Sequence, residues 1–235
     1  MTAKVAEKEE YLNKINEIGM GNVKPKELTS TDFFTVATER RSVRHYDPSF
    51  KMTEDEIREL LEIAVQAPSS SNLQPWRFLV IEDAEEKAAL LPIANNQKQI
   101  VDASVVIAVL GDIQAYQNAE KIYGEFVERG MMTKEIKEFY VNSIMENYGK
   151  LSDEQATRVA MIDGGLVSMM LMLAAKAKGL DTVPMGGYNE AKFIEAFDVP
   201  ANYKPVMLIA VGKGVQAGFE KVRLPLDDVL TWNKY

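Results

Sequence analysis

Apolar residues recur along much of this chain at helical spacing, and polar capping residues mark where the helices begin. Thr53 and Glu56 form a capping box. One helix face follows them with apolar residues at i, i+3, i+4 and i+7: Ile57, Leu60, Leu61 and Ala64. A second capping box, Ser152 and Gln155, opens a longer helix that is apolar on nearly all sides and ends before Gly179. The pattern predicts two packed helices, the second of which is buried along most of its length.

Three short apolar runs lack helical spacing and predict β-strands, at residues 78–81, 105–110 and 206–211. Shorter helices are predicted behind the capping residues Asp83 and Asn189, and residues 114–149 form a polar, helix-prone segment. Strands interleaved with helices predict a three-layer sheet domain of the α/β or α+β class. No shift in composition divides this domain.

The first 30 residues are polar and differ from the rest of the chain. Three apolar positions there predict a short amphipathic helix: Leu12, Ile15 and Ile18. Residues 23–29 have the composition of a linker. Ser30 or Thr31 then caps a helix through Glu39, whose apolar side carries Phe33, Phe34 and Ala37. We therefore expect an N-terminal extension over residues 1–30 and one domain over residues 31–235.

Composition narrows the chemistry that the chain can perform. It has no cysteine and one histidine, His45, which excludes disulfides, thiolate metal sites, a cysteine nucleophile and zinc sites with several imidazoles. A net charge of −8 argues against nucleic-acid binding, since phosphate neutralisation needs a basic face. The N-terminus lacks the apolar core of a signal peptide, and the longest apolar run, residues 164–175, is too short to span a membrane. We expect a soluble cytoplasmic protein without a membrane or nucleic-acid partner.

Positive charge is concentrated in two places in this acidic chain. Arg40, Arg41 and Arg44 flank Ser42 directly after a predicted helix. Guanidinium groups beside a hydroxyl suit a phosphate dianion. The alternative is a solvated basic corner at a helix C-terminus, where cations also offset the helix dipole. The second place is the pair formed by Lys221 and Arg223 near the C-terminus, which is either a further anion contact or a solvated charge pair.

Two loops carry further polar or glycine-rich sequence. The segment from Pro68 to Pro75 holds three serines, Asn72 and Gln74 between prolines, which suits hydrogen bonding to the edge of a flat heterocycle. The segment from Pro184 to Tyr188 contains a glycine pair, which allows close approach of the backbone to a ligand. Each could equally be an ordinary turn. No activated nucleophile is visible, so an enzyme of this sequence is expected to use a bound cofactor.

Five segments in this order resemble the nitroreductase family of flavoenzymes. They are residues 40–44, 67–76, 102–104, 184–188 and 221–226, and the similarity spans roughly residues 31 to 230. The nearest members are NAD(P)H nitroreductases of Gram-positive bacteria.

The resemblance implies an α+β fold in which helices flank a central, mainly antiparallel sheet. It also implies an intertwined homodimer with tightly bound FMN at the subunit interface. The implied reaction passes hydride from NAD(P)H through FMN to a nitroaromatic, a quinone or a similar small molecule, by a ping-pong mechanism. No side-chain acid or base is required for it.

By resemblance, the cofactor-binding positions form three groups. The group at the FMN phosphate comprises Arg40, Arg41, Ser42, Lys221 and Arg223, with Arg44 near the pyrimidine end of the flavin. The group supplied by the partner subunit comprises Pro68, Ser69, Ser70 and Asn72, with Gln74 close by. The group along the flavin ring comprises Asn96, Gln99, Pro184, Gly186 and Gly187.

Two of these positions depart from the pattern of well-known family members. Gly186 stands where they carry a glutamate beside the nicotinamide site, which affects how the nicotinamide and the substrate are handled. Gln99 stands near the position of a lysine, which removes one positive charge near the flavin or the nicotinamide ribose.

The resemblance makes residues 114–149 a variable lid over the flavin. Its aromatic residues would line the substrate pocket: Tyr116, Tyr123, Phe126, Phe139 and Tyr140. They could instead anchor two surface helices. Other functions also remain open at this point, namely dehalogenase-like or flavin-processing chemistry on the same scaffold, or a flavin-binding dimer without catalysis.

Overall fold

A computed structural model describes residue 24 and residues 28–235 of the chain. The helix predicted around Leu12, Ile15 and Ile18, and most of the predicted linker, lie outside the described residues. The helices are α1 Phe33–Glu39, α2 Glu54–Ala64, α3 Ala84–Ile93, α4 Gln99–Asp102, α5 Ala119–Glu128, α6 Lys134–Tyr148, α7 Asp153–Ala177 and α8 Glu190–Ala196. The strands are β1 Trp76–Ile81, β2 Val105–Asp112, β3 Asp181–Met185 and β4 Tyr203–Gly212.

The four strands form one antiparallel sheet in the order β1-β2-β4-β3. Every residue of β2 is buried, because alternate side chains enter different cores. Val106, Ala108 and Leu110 pack with α3, α4 and α8 on one face. Val105, Ile107 and Val109 pack with α2 and α7 on the other. The predicted α+β class with a three-layer, mainly antiparallel sheet is confirmed. The homodimer that the resemblance implies is not tested by the structure of one chain.

The predicted capping residues begin their helices as expected. Thr53 and Glu56 exchange both hydrogen bonds of a capping box at α2, and Ser152 and Gln155 do so at α7. Asp83 and Asn189 cap α3 and α8. The cap of α1 differs from the prediction of Ser30 or Thr31. Asp32 takes that position, because its carboxylate accepts hydrogen bonds from the backbone N–H groups of both Phe34 and Thr35.

The long helix α7 lies against the sheet and is buried over most of one side. A Cβ at Gly164 would come within 2.6 Å of Val206 of β4, so glycine permits the close approach of helix and sheet. By length and composition alone α7 could cross a membrane, a test that the core helix of a soluble protein also passes. Its opposite side carries exposed apolar residues at i, i+4 and i+7: Ile162, Leu166 and Met169. Within the described part of the chain, this apolar face of α7 is therefore uncovered.

The aromatic side chains of α1 are also uncovered. Phe33 and Phe34 are 66% and 78% exposed, and Val36 is the buried residue of this helix. Among the described residues, the two aromatic side chains on the predicted apolar side of α1 are therefore mostly uncovered.

Strand β3 and the short helix α4 were absent from the sequence-based prediction. The β3 sequence contains Asp181, Thr182 and Pro184, so it lacks a continuous apolar run. Pairing with β4 on one side makes it a strand all the same. Helix α4 has four residues, which is too few to give a periodic signal.

Candidate functional site

The two cationic segments of the sequence come together in one cleft. Ser42 forms an isolated bridge to Thr182 at the start of β3, and this contact places residues 40–44 along the outer edge of that strand. The C-terminal segment crosses the same residues at Gly218, where a Cβ would come within 2.5 Å of the Ser42 carbonyl oxygen. The cleft between the segments has a volume of about 180 Å³ and is lined by Arg40, Arg41, Ser42, Arg44, Phe219, Glu220, Lys221 and Arg223. All six residues predicted for the phosphate group and its neighbourhood therefore lie together.

Hydrogen bonds hold several of these cations at the end of α1. The Lys221 ammonium donates to the carbonyl oxygens of Ala37 and Thr38, at 2.9 and 2.8 Å. Arg41 donates to the Thr38 carbonyl at 2.7 Å. The guanidinium carbon of Arg44 lies 6.0 Å from the centre of the Phe219 ring, a contact that sequence reasoning missed.

Arg40 is the least satisfied cation of the cleft. Its Nε and Nη1 atoms are buried and make no hydrogen bond to any residue that the structure describes. Burial, together with the charges of Arg223 and Arg41, lowers the pKa of Arg40. Burial also lowers the pKa of Lys221, and the charges of Arg41, Arg40 and Arg223 add to this effect. Buried donors without acceptors and mutually repelling cations both favour an anion in the cleft. The residues present fit a phosphate group.

A second cluster surrounds the glycine pair that follows β3. The side-chain amides of Asn95 and Gln97 both donate to the Gly187 carbonyl oxygen, the latter at 3.2 Å. Asn95 and Asn96 have φ of 59° and 55°, so this turn adopts the left-handed region at two successive non-glycine residues. The predicted residue Asn96 therefore belongs to a turn that is tied to the predicted glycine pair, although Asn95 and Gln97 were not anticipated.

Gln99 lies beneath this turn and is buried. Its Nε2 donates to Gln97 Oε1 at 3.0 Å and lies 3.5 Å from the Met185 sulfur. Its Oε1 has no hydrogen-bond partner in the described residues. Gly186, in contrast, is exposed, and a Cβ there would meet no atom within 4 Å. Space for a side chain therefore exists at the position where well-known family members carry a glutamate.

Strand β3 connects these two clusters. Ser42 and the cationic cleft lie beside Thr182, and Gly186 follows four residues later along the same edge strand. A strand rises about 3.3 Å per residue, so the two clusters are separated by roughly 13 Å. Two binding regions at this spacing suit an elongated ligand with an anionic group at one end.

The predicted polar loop, from Pro68 to Gln74, is strained and firmly held. Ser71, Asn72 and Gln74 have φ of 49°, 54° and 51°, in the left-handed region that non-glycine residues rarely adopt. The Asp163 carboxylate accepts from the Ser70 N–H at 3.0 and 3.1 Å and from the Ser70 hydroxyl at 3.1 Å. Sequence reasoning missed Asp163, although it is an isolated charge at the edge of the apolar run of α7.

This loop lies at the corner of the sheet opposite the cationic cleft. It precedes Trp76, which pairs with Gly111 near the end of β2. Thr182 pairs with Val211, which itself pairs with Val105 at the start of β2. Gly111 and Val105 are six residues apart on β2, and three strand spacings separate β1 from β3, so the two sites lie roughly 20 Å apart along the strands and 14 Å across them. The loop therefore lies far from the cationic cleft of its own chain.

The loop also borders a large cleft, which measures about 680 Å³ and has helix α5 as one wall. The cleft is lined by Asn72, Gln74, Trp76, Arg77, Asn118, Lys121, Ile122, Glu125, Phe126, Arg129 and Met131. Of the five predicted pocket aromatics, Phe126 lines it. Tyr123 instead stacks on Tyr140 at 5.6 Å and donates to the Ser71 carbonyl. Tyr123 and Tyr140 are therefore used to pack α5, α6 and the loop together, whereas Phe139 is 70% exposed.

Comparison with known proteins shows which family has this sequence and fold. The model of the nitroreductase family matches residues 37–213. The chain belongs to the nitroreductase family. The match includes the cationic segment after α1, the strained loop and the glycine pair, and it ends before Gly218 and the two C-terminal cations.

Curated relatives of the family align with nearly their whole length. The provisionally named NAD(P)H nitroreductase YodC of Bacillus subtilis is 44% identical over 86% of this chain and 99% of its own. A CLA biosynthesis enone reductase of Lactiplantibacillus plantarum is 32% identical over 84% of this chain and 93% of its own. A provisionally assigned nitroreductase of Exiguobacterium sibiricum, solved in complex with FMN, superposes with a TM-score of 0.83 at 45% identity, covering 88% of this chain and 100% of its own.

Proposed function

We propose that this nitroreductase-family chain is an FMN-dependent oxidoreductase that uses NAD(P)H to reduce small organic acceptors. The observation that carries the proposal is the unsatisfied positive charge of the cleft, above all the buried Arg40 donors, at one end of an edge strand whose other end is the glycine pair. This arrangement suits a ligand with a dianion at one end and a flat polar ring at the other. The FMN complex of the Exiguobacterium sibiricum relative supports FMN as that ligand.

Arg40, Ser42, Lys221 and Arg223 would hold the phosphate, with Arg41 restrained against the α1 carbonyls beside them. Arg44 would direct a positive charge toward the pyrimidine end, which favours a reduced, anionic ring. FMN, when bound, supplies the hydride chemistry. Gly186 has no side chain, so it leaves the backbone of this turn open to the ring, and the hydrogen bonds to Gly187 hold the turn in position.

We further propose that the working unit is a homodimer with each flavin site shared between two chains. The Pro68–Gln74 loop, with Ser69, Ser70 and Asn72, would meet the flavin held by the cleft of the other chain. The separation of the loop from the cationic cleft of its own chain supports this. The uncovered apolar face of α7 and the exposed aromatics of α1 support a partner of the same kind.

The acceptor would bind where the nicotinamide binds, after oxidised nicotinamide leaves, which gives a ping-pong mechanism. Nitroaromatics and quinones are the expected acceptors, and enones are a further class because an enone reductase is among the relatives. The large cleft beside Asn72, Gln74 and Phe126 would complete the acceptor pocket from the second subunit, with residues 114–149 as its cover.

The proposal is tested with the protein as purified. It should be yellow and contain about one FMN per chain. Anaerobic NADH or NADPH should bleach the flavin band, and a quinone or a nitroaromatic should restore it. If neither NADH nor NADPH reduces the bound flavin, the protein binds flavin but lacks the proposed activity. Reduction without return of the oxidised spectrum by any acceptor, accompanied by flavin breakdown, would indicate flavin-processing chemistry instead.

A further inference from the structure

Asp163 is a buried carboxylate in an otherwise apolar part of the longest helix. It is 2% exposed and lies in α7, immediately before the run of residues 164–175. Burial raises the pKa of Asp163, whereas the hydrogen bonds from Ser70 lower it. A buried charge lowers the stability of the fold unless it is hydrogen-bonded. The hydrogen bonds of Asp163 therefore indicate its role.

The bonds of Asp163 go mainly to the backbone of the strained loop. Both of its oxygens lie 3.0–3.1 Å from the Ser70 nitrogen, and one also accepts from the Ser70 hydroxyl. Ser70 begins a single turn of 3-10 helix that runs to Asn72. Two left-handed residues follow it, Ser71 and Asn72, and a third is Gln74. Left-handed backbone at non-glycine residues persists only when its surroundings hold it there.

Hydrogen bonds hold the loop on two sides. Asp163 of α7 holds its first residue from the core side. On the other side, Tyr123 donates to the Ser71 carbonyl at 3.2 Å and Tyr148 meets the Ser71 hydroxyl at 3.0 Å. The α5 and α6 helices that carry these tyrosines contain many exposed residues, whereas Asp163 is buried and belongs to α7, whose apolar residues pack on the sheet. Asp163 therefore connects the start of the loop to α7, the helix that lies against the sheet.

We propose that Asp163 is a positioning residue for the active site. It fixes the start of the Ser69–Gln74 loop, so that Asn72 and Gln74 keep their places at the mouth of the large cleft. The inference rests on the proposed function in one respect, that this loop contacts the flavin or acceptor of the other subunit. Because the main bond is to a backbone N–H, Asp163 controls the path of the loop rather than recognising the side chain of residue 70.

Hydrogen exchange of the holoenzyme, read on a peptide covering residues 66–76, tests the positioning directly. Asp163→Ala should speed exchange in this peptide by about tenfold or more, since a charge-assisted bond is lost. Asp163→Asn should remain close to wild type, because its amide oxygen still accepts from the Ser70 N–H. The control is Ser168→Ala on the same helix, where the buried hydroxyl bonds the Gly164 carbonyl within α7. This control should not alter the peptide.

A second pair of variants keeps the test decisive if Asp163→Ala does not fold. Ser70→Ala removes the hydroxyl and keeps the N–H, so loop exchange should stay slow. Ser70→Pro removes the N–H at the first position of a helical turn, where proline is tolerated, and Ser69 already has the extended conformation that precedes proline. It should speed exchange as Asp163→Ala does. Equal exchange in Ser70→Pro and Ser70→Ala would overturn the proposal.

Steady-state kinetics distinguish a role of Asp163 in positioning the loop from a general contribution to the stability of the fold. Asp163→Ala should raise KM for the acceptor by about tenfold, with a smaller change in kcat, and Asp163→Asn should rescue KM. An unchanged KM together with unchanged loop exchange would overturn the inference. If wild type binds no flavin, the proposed function fails, but the exchange results still decide whether Asp163 holds the loop.

Discussion

The ammonium group of Lys221 lies 2.8 Å from the carbonyl oxygen of Thr38, although the two residues are 183 positions apart. This bond fastens the C-terminal segment to the end of α1 and brings Arg223 next to Arg40 and Arg41. The result is a buried concentration of like charge: burial, and then the neighbouring cations, lower the pKa values of Arg40 and Lys221. The cleft is therefore prepared for an anion before one binds.

Loss of the cleft arginines should weaken FMN binding. Arg40→Ala or Arg223→Ala should each cost about 1.5–3 kcal/mol of binding free energy, the value of a charge-assisted hydrogen bond. Flavin fluorescence titration of the apoprotein measures this. Arg58→Ala is the matched control, because Arg58 is exposed and pairs with Glu54 on α2. Full flavin occupancy in the Arg40→Ala/Arg223→Ala double variant after extensive dilution and gel filtration would remove the phosphate assignment.

FMN affinity should fall at alkaline pH through Lys221. Burial and the neighbouring cations disfavour its charged form in the free protein, and a bound phosphate favours it, so binding raises the pKa of Lys221. Affinity should therefore decline as pH rises from the lowered free-protein pKa toward the higher bound value, starting below the ordinary lysine range. Titrations from neutral pH upward measure the decline. Lys221→Arg keeps its charge and should flatten the curve; identical profiles would exclude Lys221 as the titrating group.

A glutamate at position 186 should be tolerated by the fold and should change nicotinamide handling. Gly186 lies outside the left-handed region and a Cβ meets no neighbour, so Gly186→Glu should change the free energy of unfolding by no more than about 0.5 kcal/mol. It should retain flavin and alter KM for NADH or NADPH. The contrasting variant is Gly164→Ala, whose methyl group would collide with Val206 and cost about 1–3 kcal/mol. Destabilisation of similar size in both would contradict the open geometry at Gly186.

Most of the secondary structure was predictable because its signals are local. The capping boxes at Thr53 and Ser152 and the continuous apolar run of β2 depend on residues close together in sequence. Strand β3 was not predictable from its own residues, since its strand character comes from β4, some twenty positions later. The α1 cap was assigned to the wrong polar residue because three candidates, Ser30, Thr31 and Asp32, lie in succession.

For the site, sequence identified the charged residues but not their arrangement. The cations at positions 40–44 and 221–223 were noticeable because the chain is acidic, and the structure brings them together. Their distance from the Pro68–Gln74 loop depends on strand order, which no local motif encodes. Asp163 was overlooked because a single acidic residue next to an apolar run looks like the solvent-exposed end of that run. Its partner, the Ser70 backbone, is 93 positions away.

The exposed apolar face of α7 should drive dimerisation. Leu166→Glu would place a charge in the middle of that face and should convert the dimer to monomer at micromolar protein, with loss of flavin. Sedimentation velocity and flavin absorbance report the two effects together. Ile63→Glu introduces the same charge at an exposed apolar position of α2 and should leave the dimer intact. A Leu166→Glu monomer that binds FMN as tightly as wild type would contradict a shared site.

Mixed dimers test most directly whether each flavin site is assembled from two chains. One parent carries Arg40→Ala and Arg223→Ala in the cleft, and the other carries Ser69→Ala and Asn72→Ala in the loop. Each parental homodimer should bind FMN weakly, since both of its sites contain one defect. In a heterodimer, one site receives both defects and the other receives neither. The account predicts one tightly bound, NAD(P)H-reducible FMN per heterodimer. Heterodimers that bind no more FMN than either parent would contradict it.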